Sequence, residues 1–133
     1  VNICQRVREI SDQPLLKPLI DIPKLSDVAC RMVKNAITAF IHHDEKLARD
    51  VILSDTESDS LRNLVQEELI HDYMCKNGTT APRAVPLLLI ARHLERICDH
   101  ATYIAEDVIY MVQATIVKHH PEKLEDGEIL DQE

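Results

Sequence analysis

Residues 91–106 read Ala91-Arg92-His93-Leu94-Glu95-Arg96-Ile97-Cys98-Asp99-His100-Ala101-Thr102-Tyr103-Ile104-Ala105-Glu106, and this stretch decides the fold. Leu87, Ala91, Leu94, Cys98, Ala101, Ala105, Val108 and Val112 alternate three and four apart, which is the seam of a helix facing partner helices. Beside that seam Glu95 and Asp99 stand four apart, so their carboxylates project from one helix face, one above the other. Glu106 lies near the same line.

Working outward from this helix, the chain of 133 residues supports one modest core. Aromatic residues make up 3%, Trp is absent and Gly occurs twice, which leaves little turn chemistry for a many-stranded sheet. An all-α chain is expected. Fifteen basic against 23 acidic residues give a net charge of −8, which argues against a nucleic-acid partner or an anionic membrane surface. No uncharged stretch, residues 84–90 included, is long enough to span a bilayer, and no signal peptide is legible. A cytoplasmic protein without membrane insertion is expected. Cys4, Cys30, Cys75 and Cys98 lack the close pairs of a zinc knuckle or redox site, so they read as free thiols, with Cys30 and Cys98 packed as small apolar side chains.

Residues 2–10 read as the end of a helix, too short to be stable alone. Pro14, Pro18 and Pro23 then make residues 11–22 an extended connector, with Asp21 as N-cap of the next helix. From Leu25, positions Val28, Ala29, Met32, Val33, Ala36, Ile37 and Phe40 recur at the spacing of one buried helical face. His42-His43-Asp44-Glu45 ends that helix and caps another, which runs through Leu47, Ala48, Val51, Ile52, Leu61, Val65, Leu69 and Met74 to a stop at Asn77-Gly78. Thr79 or Thr80 caps a third helix, with Pro82 in its first turn. Pro86 removes one internal hydrogen bond and is expected to bend or delay that turn. Helices of roughly 20 to 40 residues, about 30 to 60 Å long, describe an elongated antiparallel three-helix bundle over residues 23–120. Residues 1–22 then form a short helix and connector, and residues 121–133 an acidic flexible tail.

Asp55 and Asp59 are a second pair of acids spaced by four. If the second and third helices are antiparallel neighbours, this pair faces Glu95 and Asp99. Four inward carboxylates repel one another unless protonated, solvated or bridged by a hard cation such as magnesium, manganese, calcium or iron. The plainer alternative is that Ser54-Asp55-Thr56-Glu57 is a capping box where a helix restarts after a loop. Glu68-Leu-Ile-His71 has the Glu-x-x-His spacing of di-iron bundles, but the unit occurs once and its second copy is missing, so a surface His71 accounts for it better. His93, Arg96 and His100 share one face of the third helix, either as a solvated surface or as a contact for a partner or anion. No Gly-rich phosphate loop and no nucleophile with its base are present, so the chain does not read as an enzyme.

Residues 91–112 contain Glu95-Arg96-x-x-Asp99-His100-Ala101-x-x-Ile104-Ala105-Glu106, which resembles the signature of the PhoU family of phosphate-uptake regulators. Upstream, Asn35, Ala36, Ala39, Phe40, Asp44, Ala48, Asp55 and Asp59 are similar in order and spacing to that family's first two helices, so the resemblance covers roughly residues 20–115. Family members resemble two tandem three-helix bundles. The first residue here is Val rather than Met, so the chain is expected to be one repeat of a longer protein, with residues 1–9 resembling the tail of a preceding repeat. The resemblance implies a metal role for Asp55, Asp59, Glu95 and Asp99, with iron or another hard cation such as magnesium or manganese, and a weaker one for Glu106. Tyr103, where the pattern usually has Asn, and Cys98, in place of a common Gly, depart from it and bear on the geometry of the acids.

The resemblance also implies a non-enzymatic regulator. It would couple the ATPase subunit of a phosphate ABC transporter to a sensor histidine kinase and repress the phosphate-starvation response. Homo-oligomerisation is compatible with this reading. Its rivals are a ferritin-like carboxylate-metal enzyme and a metal-free helical adaptor for another transporter.

Overall fold

The computed structural model describes residues 1–119, with the side chains described up to residue 114. Four α-helices follow in order: α1 (Asn2–Ser11), α2 (Asp21–His42), α3 (Glu45–Glu67) and α4 (Ala81–His119), and there is no strand among the described residues. The long helices α2, α3 and α4 each pack against the other two, which makes the expected three-helix bundle, while α1 docks on α4. The proposed acidic tail at 121–133 lies outside the described residues, as does residue 120.

The α2–α3 corner forms as its residue types dictate. His43 takes the left-handed conformation at φ 52°, its N–H donating to the Ala39 carbonyl, and so closes α2. Asp44 then caps α3 by accepting from the Leu47 N–H at 3.0 Å. The start of α2 differs from expectation. Ile20 holds the cap position, and Asp21 is instead the first helical residue, where its carboxylate faces the positive helix end and pairs with Lys24 at 3.2 Å. Pro23 fits the first turn because an N–H there would have no intrahelical partner.

Two further expectations need correction. The helix from Glu45 does not run unbroken to Asn77: residues Glu68–Met74 form a π-helical segment, marked by the Cys75 N–H donating to the Ile70 carbonyl at 2.8 Å. The wider turn shifts the helix phase while Leu69, Tyr73 and Met74 still pack on the core. A short 3₁₀ turn, Gly78–Thr80, comes after it, and its cap is Asn77, which accepts from the Thr79 N–H at 3.1 Å. Pro86 sits buried inside α4, which nevertheless begins at Ala81, so the proline does not delay the helix.

The core is two clusters rather than one. The first joins Val28, Ala29, Met32, Ala36 and Ala39 of α2 to Ala48 and Val51 of α3, and to Cys98, Ala101, Ala105 and Val108 of α4. The second joins Leu25, Val65 and Leu69 to Ala84, Leu87, Ile90, Ala91 and Leu94, and takes in Ile3 and Ile10 of α1. That docking gives α1 the tertiary support so short a helix needs. The α4 seam is placed as its spacing demands, with Leu94, Cys98, Ala101 and Ala105 all buried. On α2 the buried line runs through Ala36 and Ala39, leaving Ile37 and Phe40 about half exposed. Small side chains let the helix axes approach closely, and the larger ones move to the margin. Cys30 is exposed rather than packed.

Candidate functional site

The two core clusters meet at a polar belt, and the belt belongs to α3. Its inward line runs Ala48, Val51, Asp55, Ser58, Arg62, Val65 at spacings of three and four and continues to Leu69 in the π-helical segment, so apolar residues flank three polar ones. Ser58 is wholly buried, and its hydroxyl donates to the Asp55 carbonyl oxygen at 2.9 Å and lies 3.3 Å from the Asp55 carboxylate. Residues 54–57 lie within continuous α3, so the capping-box alternative does not hold: Ser54 donates its hydroxyl to the Asp50 carbonyl, as a mid-helix serine does.

Opposite the belt, α4 presents Glu95, Cys98 and Asp99. Burial pushes the Cys98 thiol up to about 11, helped by the fields of Asp55, Asp99 and Glu95 and opposed by a hydrogen bond from Ser58. Burial also raises the Asp55 carboxyl above its ordinary range, with further contributions from Asp59 and Asp99. Glu95 is raised for the same leading reason, reinforced by Asp99 and Asp59 and opposed by Arg62 and Arg92. The four acids singled out in the sequence therefore share one electrostatic neighbourhood across α3 and α4. They are unequally placed: Asp55, Glu95 and Asp99 are half-buried and Asp59 is exposed. Glu106 is exposed too.

The residue that sequence reasoning missed is Arg62. Its Nη2 lies 3.8 Å from Glu95 across the helix pair and 3.9 Å from Asp59 on its own helix. The missed signal was periodicity, since Arg62 falls seven residues after Asp55 on the same inward line. It also lines a cavity of about 390 Å³ with Gln66, Ile70, Leu88, Leu89, Arg92 and Glu95.

The donor chemistry of the acids suits a hard cation, but their arrangement does not. Among the described residues no group of three or more His, Cys, Asp or Glu side chains is set to hold a metal ion, and a guanidinium stands between Asp59 and Glu95. The residues as arranged do not fit a metal centre. The Glu-x-x-His unit is likewise engaged elsewhere, with Glu68 paired to Lys17 and His71 exposed. Of the surface trio, His93 is half-buried, Arg96 and His100 are exposed, and the His100 ring meets Tyr103 edge-on at 5.9 Å. A separate apolar groove of about 510 Å³ runs between α2 and α4, lined by Ala29, Val33, Ile37, Leu94 and Ile97 among others.

The family profile for the PhoU domain matches residues 22–108, which takes in nearly all of α2, all of α3 and most of α4. The chain belongs to the PhoU family. A PhoU homolog from Thermotoga maritima, named phosphate-specific transport system accessory protein PhoU homolog 2, is 36% identical over 92% of this chain and 52% of its own length. A PhoU homolog of Aquifex aeolicus with the corresponding accessory-protein name is 38% identical over 89% of this chain and 53% of its own. One from Zymomonas mobilis is 33% identical over 99% of this chain and 54% of its own. The chain thus spans about half the length of the curated PhoU relatives it matches. The split core and its acidic belt are accordingly features of a PhoU bundle, and no helix among the described residues is long and apolar enough to cross a membrane.

Proposed function

We propose that this PhoU chain acts in the regulation of phosphate uptake, as an accessory component that works by binding proteins rather than by transforming a substrate. In this reading it couples the ATPase subunit of a phosphate ABC transporter to a sensor histidine kinase, in the cytoplasm, and represses the phosphate-starvation response when phosphate is plentiful. The observation that carries the reading is the PhoU-domain match across the bundle, joined to relatives whose names assign them to phosphate-specific transport. The geometry agrees with a binding role, since a helical bundle with one acidic face and one apolar groove offers surfaces for recognition.

The test is direct binding of the full-length protein to the ATPase subunit and to the kinase, measured at high and low phosphate. Binding to both, with at least one affinity changing with phosphate, is the expected result. Binding to neither under both conditions removes the coupling role.

A further inference from the structure

We propose that the cavity between α3 and α4, with Arg62 and Arg92 at one end and aliphatic side chains at the other, is a docking site for a helical segment of a protein partner. The segment would carry one carboxylate and one aliphatic side chain about two helical turns apart. This role deepens the binding function proposed above and rests on it.

Arg62, Gln66 and Ile70 follow at spacings of four along α3 and into the π-helical segment, and Leu88, Arg92 and Glu95 of α4 stand across the same cavity of about 390 Å³. The helices run antiparallel, since the start of α3 packs with the far part of α4 and its end with the near part. Arg62 therefore meets Glu95 at one end, and Ile70 comes level with Leu88 at the other. From Glu95 back to Leu88 is seven residues, about 10 Å along the helix. Both walls depart from regular α-helix near the apolar end. The π-helical turn widens one, a feature that is frequent at functional sites, and Pro86 removes a backbone donor from the other.

The charged end has donors to spare. Nη1 of Arg62 donates to the Asn63 Oδ1 at 2.7 Å, while Nη2 stands 3.8 Å from Glu95 and 3.9 Å from Asp59, too far for a hydrogen bond. Arg92 is exposed and acts on Glu95 through its field. Asp59 and Asp99 lie outside the cavity lining, so two guanidiniums against the one carboxylate of Glu95 leave an excess positive charge there, in a chain whose net charge is −8. One carboxylate matches that excess, and the planar fork of an arginine pairs with it bidentately. An inorganic oxyanion would leave Ile70 and Leu88 uncovered, and a second negative charge would meet Glu95. Gln66 and Arg92 are exposed at the rim, so a helix can lay both side chains in from solvent.

The experiment selects displayed random peptides, long enough for four helical turns, on the purified chain, and measures the affinity of the enriched sequences by calorimetry. Enrichment of peptides with Asp or Glu seven residues from Leu, Ile or Val is expected. Their binding is expected to weaken at least about tenfold in Arg62→Gln and in Arg92→Gln, and to be unchanged in Ile37→Ser, which alters the separate groove between α2 and α4. Arg92 is exposed, so Arg92→Gln decides the matter alone if circular dichroism shows Arg62→Gln unfolded.

A selection that enriches nothing, peptides without an acid, or binding equal in wild type and the Arg92→Gln variant each overturn the proposal. Binding lost in Ile37→Ser instead overturns it too, because the other groove is then the site. Sodium phosphate that displaces the peptide beyond the effect of sodium chloride at equal ionic strength marks a site for inorganic oxyanions and also overturns it. Neither the ATPase subunit nor the kinase enters the selection, so failure here is distinct from failure of the coupling role.

Discussion

Replacing Leu94 by Asp probes the register of α4 where the structure tolerates least. Leu94 is 7% exposed and sits in the second core cluster with Val65, Leu87, Ile90 and Ala91. Burying a leucine side chain contributes about 1.5–3 kcal/mol. A carboxylate forced into the same space loses that and adds the cost of burying a charge, with Glu95 and Asp99 nearby carrying the same sign. The total, about 4 kcal/mol or more, is comparable with the whole stability of a domain of this size, about 5–15 kcal/mol. Leu94→Ala, which only empties space, is expected to cost about 2–5 kcal/mol and to lower the Tm by roughly 8–20 °C. Ile97→Asp, at a position already 36% exposed, is expected to cost less than Leu94→Ala. Thermal unfolding followed by circular dichroism separates the three. A Leu94→Asp chain that melts within a few degrees of the parent refutes the register of α4 and, with it, the placement of Glu95 and Asp99.

The acidic belt leads to two further expectations. Because Glu95 and Asp55 titrate above their ordinary values in the fold, the folded state binds protons more readily than the unfolded chain. The contribution of these two groups therefore strengthens as pH falls through their folded pKa values toward the ordinary values of 4.5 and 3.8, and weakens as pH rises. Glu95→Gln, which relieves repulsion from Asp99 and Asp59 but also forgoes Arg62, is expected to be neutral or mildly stabilising at pH 7 and to lose any gain at acid pH. A Tm difference that instead grows on acidification opposes the account. Buried Cys98, with its thiol pushed up to about 11, is expected to resist a thiol reagent until the chain unfolds, while exposed Cys4, Cys30 and Cys75 react in the native state. Four equally fast thiols contradict the packing of the α4 seam.

The parts legible in the sequence were those in which one physical requirement dominates a stretch. The α4 seam repeats with no competing signal, so its period alone puts Leu94, Cys98, Ala101 and Ala105 inside, where they are found. The His43–Asp44 corner was legible because a helix end and a helix start need different residue types side by side. Ile37 and Phe40 misled because hydrophobicity does not report how closely helices approach, and the small alanines at 36 and 39 take the inner positions. The π-helical segment left no mark, because residues 68–74 contain neither Gly nor Pro to signal a break in the helix. At the site, the pairs at i and i+4 showed the acids, while Arg62 was hidden because an arginine on a core line reads as surface until its partner on another helix is known.

The coupling role is most directly tested by a phosphate-starvation reporter in cells lacking the full-length protein. With phosphate plentiful, the account predicts that the reporter is switched on by the loss and silenced again by the wild-type gene, with the transporter and the kinase both present. A reporter that stays silent after the loss, with that kinase able to activate it when phosphate is withdrawn, contradicts the assignment.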